Sequence, residues 1–104
     1  MKRLKVMPEF MSSGIWDADT GCMIHRDELK ISQGLSDGFE AWIDYYDTCF
    51  ESDFSTFKKG KSKKLNTWGR KLAVQLKKEL PKAYVEYLGE TEDGVLGHEK
   101  IGDK

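Results

Sequence analysis

Cysteine is scarce in this chain: two occur in 104 residues, Cys22 and Cys49. Two thiols do not make a disulfide framework, so the fold is not a small stapled scaffold and reduced thiols are expected. Proline is equally scarce, and Pro8 and Pro81 both stand where a periodic segment stops. Long apolar runs are missing, and no window approaches the ~18–20 residues that cross a bilayer. Met1 to Lys5 is basic, as the start of a secretory leader would be, but Pro8 and Glu9 interrupt it before an apolar core develops. No membrane contact and a cytoplasmic location are therefore expected.

Signatures of catalysis and of cofactors are lacking as well. There is no phosphate-binding P-loop, dinucleotide fingerprint, nucleophile elbow or zincin pair. Cys22 and His25 have a ligand-like spacing, but a structural zinc site takes four ligands, and Cys49 and His98 lie on an apolar helix face and in the tail. Asp17, Asp19 and Glu28 copy three positions of a calcium loop, yet Gly21 and Cys22 stand where a further ligand and the turn glycine belong. No metal and no cofactor are expected. His25 or His98 beside a carboxylate would offer acid–base chemistry, but no third group completes a site. The chain reads as a binding protein and not as an enzyme.

What is present is charge and aromatic bulk. Charged residues make up 34% of the chain and apolar residues 38%, with three Trp, four Tyr and five Phe. The rings supply area that the aliphatic residues do not, which argues for one modest core and against disorder. Lys2 to Met7 alternates basic and apolar and predicts a strand that Pro8 ends. Glu9 to Lys30 reads as irregular but packed, with a short strand expected near Cys22 to Ile24. Ser32 is the expected N-cap of a helix over Gln33 to Glu51, with an apolar stripe of Leu35, Phe39, Trp42, Tyr46 and Cys49. Gly34 and Gly38 weaken its first turns by roughly 1 kcal/mol each relative to Ala.

Phe54 and Phe57 are expected to tuck inward from the connection that follows. A second helix is predicted over Lys63 to Leu80, with Leu65, Trp68, Leu72, Leu76 and Leu80 inward and Gly69 letting another backbone come close. Ala83 to Leu88 reads as a strand, Gly89 to Asp93 as an acidic turn, and Val95 to Ile101 as a short edge strand. The order β–loop–α–α–β predicts an α+β fold: a small sheet of two to four strands with two amphipathic helices packed on one face. A single domain over 1–104 is expected, with 89–104 a candidate for a loosely packed C-terminal extension.

Net charge is −1, and this hides a strong segregation. Between Ile31 and Phe57 stand six acids, Asp37, Glu40, Asp44, Asp47, Glu51 and Asp53, and no base. From Lys58 to Lys82 stand ten bases and one acid, Glu79. At 100° per residue the first five acids form one stripe opposite the apolar one. With no lysine one turn away they repel by a few tenths of a kcal/mol per pair. A solvated helix face is the plain explanation; a landing surface for a basic partner is the functional one. Tyr45 flanks the stripe as a possible aromatic anchor, and Trp16 is a second candidate that burial would remove.

The opposite hypothesis uses Lys58, Lys59, Lys61, Lys63 and Lys64 as a phosphate-binding loop for nucleic acid. Against it stand the negative net charge, the single arginine in the segment, and Trp68, which the apolar stripe assigns to the core instead of to the lysines. Pairing of these lysines with the acidic helix would need no ligand at all.

The runs Val6-Met7-Pro8-Glu9-Phe10, Ser12-Ser13-Gly14-Ile15-Trp16-Asp17, Ile31-Ser32 and Ala41-Trp42, with the spacing of Leu72, Leu76 and Leu80, carry a family likeness. In them the chain resembles small bacterial immunity proteins of polymorphic toxin systems, including contact-dependent growth inhibition. The resemblance spans the first half, and the lysines from Lys58 to Lys64 depart from it. It implies a cytosolic inhibitor of a cognate toxin domain, frequently a nuclease with a basic substrate groove. The acidic helix would then imitate the substrate's charge. The alternative is a nucleic-acid-associated regulator using the lysine-rich 58–64 loop.

Overall fold

The alternation Arg3-Leu4-Lys5-Val6 forms strand β1 (Arg3–Val6), with Leu4 and Val6 fully buried. In this computed structural model, which describes residues 2–50, 57–58, 60–91, 94–95 and 97–101, β1 is an inner strand of the main sheet. Its neighbours are β2 (Ile15–Asp17), antiparallel, and β3 (Tyr84–Tyr87), parallel; β6 (Glu99–Ile101) runs antiparallel at the far side of β3. Two parallel strands cannot be joined by a hairpin and need a long crossover. Helices α1 (Gln33–Asp47) and α2 (Ser62–Glu79) lie in that crossover and pack on each other and on the sheet. The α+β architecture with two helices against a four-stranded sheet is therefore the one expected.

Register decides which side chains meet the helices. Leu4 pairs with Val85, Val6 with both Tyr87 and Ile15, and Val85 with Ile101, and all six are buried. They face Phe39, Trp42, Leu65 and Leu76 in one core cluster. The alternate row, Trp16, Lys5, Glu86 and Lys100, lies on the other side of the sheet. Glu86 is nevertheless 8% exposed, with His98 Nδ1 2.5 Å from its Oε2.

Serine 32 caps α1 as its sequence position requires: its Oγ accepts from Leu35 N at 3.1 Å. The same residue ties the two helices together, because Ser32 N and Oγ donate to the Glu79 carboxylate at 2.6 and 2.8 Å. Those two bonds, with a third from Gln75, hold the Glu79 carboxyl below the usual range. Their stabilisation is present above the ordinary glutamate pKa and is lost as pH falls through the depressed folded value. Ser32→Ala is expected to cost about 1 kcal/mol in urea denaturation near neutral pH. The same variant should lose less stability than wild type on acidification to about pH 3.

Helix α1 ends at Asp47, one turn before the Glu51 expected from periodicity. Thr48 N donates to the Tyr45 and Tyr46 carbonyls and Thr48 Oγ1 to Tyr45 O at 2.7 Å, closing the last turn. Phe50 then forms a bridge with Phe57, and Phe10, Tyr46, Phe50 and Phe57 stack in sequence with centroids 4.9 to 5.2 Å apart. Gathering those rings takes the chain out of the helix. Phe57 is thus half-buried as expected, whereas Phe54, like Glu51 and Asp53, lies outside the described residues.

Helix α2 crosses α1 closely. A Cβ at Gly38 would lie 3.0 Å from Leu72 Cδ2, so this glycine sets the interhelical approach as well as weakening a turn. Gly69 admits rings, not a neighbouring backbone as expected: a Cβ there would lie 2.5 Å from both Trp42 Cζ2 and Tyr87 Cε1. Beside it Asn66, 5% exposed, accepts from Tyr87 OH at 2.6 Å and donates to Glu90 O at 3.0 Å.

Three local expectations need correction. Glu9 to Lys30 is not wholly irregular, since Ile15–Asp17 is β2, and the strand expected near Cys22 to Ile24 is a single bridge between Met23 and Trp16. The acidic run Asp17-Ala18-Asp19-Thr20 does make the turn its composition predicts, an Asx turn with Asp17 Oδ1 accepting from Asp19 N and Thr20 N, while Asp19 pairs with Arg3 at 2.9 Å. The Thr20 and Asp19 amides hold the Asp17 carboxyl below its ordinary range. Gly89 to Asp93 contributes strand β4 (Glu90–Thr91), which pairs with β5 (Gly94–Val95) in a two-stranded ribbon.

Candidate partner-binding surface

The outer face of α1 carries Asp37, Glu40, Asp44 and Asp47, all exposed. Among the described residues the ion pairs are Arg3 with Asp19, Arg70 with Glu99 and His98 with Glu86, and none involves this stripe. Asp37 accepts a neutral hydrogen bond from Gln33 Nε2 at 2.8 Å, one turn away. Burial and then the Asp44 charge push the Asp47 carboxyl above its usual value. The placement along the helix compounds the repulsion. α1 has no acid in its first turn and no base in its last, so Asp44 and Asp47 crowd the negative end of the helix dipole. Glu51 and Asp53, the remaining acids assigned to this surface, lie outside the described residues.

Tyr45 does not point along the stripe. Its ring is half-buried against Trp68 of α2, with centroids 5.7 Å apart. Lys61 Nζ and Lys64 Nζ sit over the ring at 5.2 and 4.9 Å from its centroid. It closes the edge of the acidic face on the α2 side. Trp16 is not brought to this surface: it is half-buried, its Nε1 donates to Met7 O at 3.0 Å, and its register with Lys5 places it on the sheet side away from the helices.

The lysine segment is divided by the fold. Lys59 lies outside the described residues. Lys58 is half-buried, its amide donating to Cys49 O at 2.6 Å. Lys63 and Lys64 are exposed and, with Lys71, Thr67, Gly60 and Trp68, line an open hollow of about 680 Å³. No described lysine of this segment pairs with an α1 carboxylate, so the self-neutralising arrangement weighed from the sequence is not the one adopted there.

Trp68 is the residue that periodicity misplaced. The stripe from Leu65 to Leu80 put it in the core, but it is half-exposed at the core's edge. The buried sector of α2 contains Leu65, Asn66, Gly69, Leu72, Ala73 and Leu76, which centres it nearer Asn66 and Ala73. A hydrophobicity pattern does not flag Asn66 and Gly69 as inward, so it drew the stripe too far toward Trp68. The signal that would have found it is the lysines at 64 and 71, one turn to either side.

Other chemistry does not gather. Among the described residues no group of three or more His, Cys, Asp and Glu side chains forms a metal site. Cys22 and Cys49 are both free thiols; Cys22 is exposed, and Cys49 is buried with its pKa pushed by burial up to about 11. His98 does meet a carboxylate, Glu86, on the side of the sheet opposite the helices. No helix among the described residues is long and apolar enough to cross a membrane.

A sequence model of the family described as Serratia CdiI immunity protein-like matches residues 2–90, which takes in β1, β2, both helices and β3. No curated protein matches the chain.

Proposed function

Since this chain belongs to the Serratia CdiI immunity protein-like family, we propose that it neutralises a cognate toxin domain by covering a basic surface of that domain with the carboxylate face of α1. The protein acts by binding, in the cytoplasm of the cell it protects, and needs no cofactor. The toxin domain is a nuclease, whose substrate groove must hold phosphates and so presents positive charge. Asp37, Glu40, Asp44 and Asp47 stand in for those phosphates, with Glu51 and Asp53 extending the run.

The observation that carries this reading is the row of exposed α1 carboxylates without an ion pair among the described residues. Such a row costs folding stability and gains from the approach of positive charge, which also steers encounter. Binding of the purified toxin domain should therefore weaken with salt, by about tenfold between roughly 50 and 300 mM, mostly through slower association. Calorimetry or stopped-flow fluorescence at the two salt concentrations would measure it. An affinity indifferent to salt would remove charge complementarity from the contact.

A further inference from the structure

We infer that the flank of α2 around Trp68 is a second half of the partner surface and receives an acidic, carboxylate-bearing segment of the toxin. The inference rests on the proposed function and deepens it. Three indoles are present, and two are committed within the fold: Trp16 Nε1 donates to Met7 O and Trp42 Nε1 to Leu65 O. The Trp68 indole N–H has no protein acceptor among the described residues. A half-exposed tryptophan with a free donor combines apolar area with a polar handle, the combination that anchors interfaces.

Its surroundings set the charge of what it meets. The hollow on one side of Trp68 is lined by Lys63, Lys64 and Lys71, with no carboxylate among the described residues. A second hollow of about 450 Å³ adjoins Trp68 over Leu35 and Leu72; it shares Lys71, and its one described carboxylate, Glu79, is already engaged by Ser32 and Gln75. Lys64 also lies over Tyr45, which braces it against α1. An incoming carboxylate finds the ammonium groups that line the hollow beside the indole, and an apolar neighbour in the same segment finds the ring.

The occupant is a protein segment and not a nucleic acid because the cationic surface is short. Tyr45 is already engaged by Lys61, Lys64 and Trp68, so base stacking is limited to Trp68, where a strand would use successive rings. Immediately beyond Tyr45, Asp44 and Asp47 would repel a continuing polyanion. A toxin surface with a basic groove bordered by an acidic segment satisfies both helices at once, and the two opposite charges fix its register.

The test uses the full chain labelled with nitrogen-15, in which the three indole N–H groups give three resolvable signals. In the free protein the Trp68 signal, assigned with Trp68→Phe, exchanges with water faster than that of Trp42. The probe is the purified cognate toxin domain, added at about 150 mM salt. The Trp68 signal should shift at stoichiometric toxin, and Lys64→Glu with Lys71→Glu should weaken binding about tenfold or more. Lys5→Glu, on the far side of the sheet, should leave affinity unchanged.

Toxin that binds wild type while leaving Trp68 unshifted, and binds the double reversal as tightly, overturns this inference alone. Failure of wild type to bind the domain overturns the proposed function and this inference with it. A Trp68 shift produced by micromolar single-stranded oligothymidylate at the same salt overturns the acidic protein segment in favour of nucleic acid.

Discussion

Trp42→Ala is expected to cost about 3–5 kcal/mol, a large part of the ~5–15 kcal/mol that holds a domain of this size together. The residue is fully buried where both helices meet the sheet. Its ring lies edge-on to Phe39 with centroids 6.3 Å apart and tilted against Tyr87 at 6.2 Å. Its Nε1 donates to Leu65 O at 2.9 Å, fastening α1 to the first turn of α2. Truncation removes the ring area and this bond, and leaves a cavity that Gly69 cannot fill. The converse substitution at the same contact, Gly69→Ala, forces a methyl into the space of Trp42 and Tyr87 and should cost about 1–3 kcal/mol. Urea denaturation with an unchanged slope would measure both. A loss below about 1 kcal/mol for Trp42→Ala would mean that the core is not built around this ring.

Asp44→Lys combined with Asp47→Lys should move folding and binding in opposite directions. In the free protein the double reversal turns the Glu40–Asp44 repulsion into an attraction at i,i+4, exchanges one like-charged pair at 44 and 47 for another, and puts positive charge at the negative end of the α1 dipole. The change at the 40/44 pair is worth about 0.4–1 kcal/mol and each charge at the helix end about 0.3–1 kcal/mol, so a gain near 1 kcal/mol is expected. That corresponds to a rise in Tm of about 4–8 °C. In the complex the same reversals would place like charge against the basic groove proposed for the toxin, and affinity should fall about a hundredfold or more. A residue kept for stability does not behave this way. A solvated helix face with no partner would give the gain in Tm and no loss elsewhere.

Much of this was legible in the sequence, for identifiable reasons. The period-two run of β1 and the three-and-four spacing of Leu35, Phe39, Trp42 and Tyr46 each express one buried face, which is a local property. β2 escaped notice because three residues, Ile15 to Asp17, carry no period, and their conformation is set by pairing with β1. The end of α1 was missed because Phe50 continues the helical pattern but finds its partner in Phe57, across a turn. Charge segregation could be read residue by residue. Which charges face one another could not: that depends on Tyr45 and Trp68 standing between the α1 carboxylates and the α2 lysines.

The most direct measurement is calorimetric titration of the purified toxin domain into wild type and into the Asp44→Lys, Asp47→Lys protein, whose melting temperature certifies an intact fold. Docking on the α1 carboxylates requires tight binding by wild type and a loss of about two orders of magnitude in the more thermostable variant. Equal dissociation constants for the two proteins would place the toxin on another face and contradict this account.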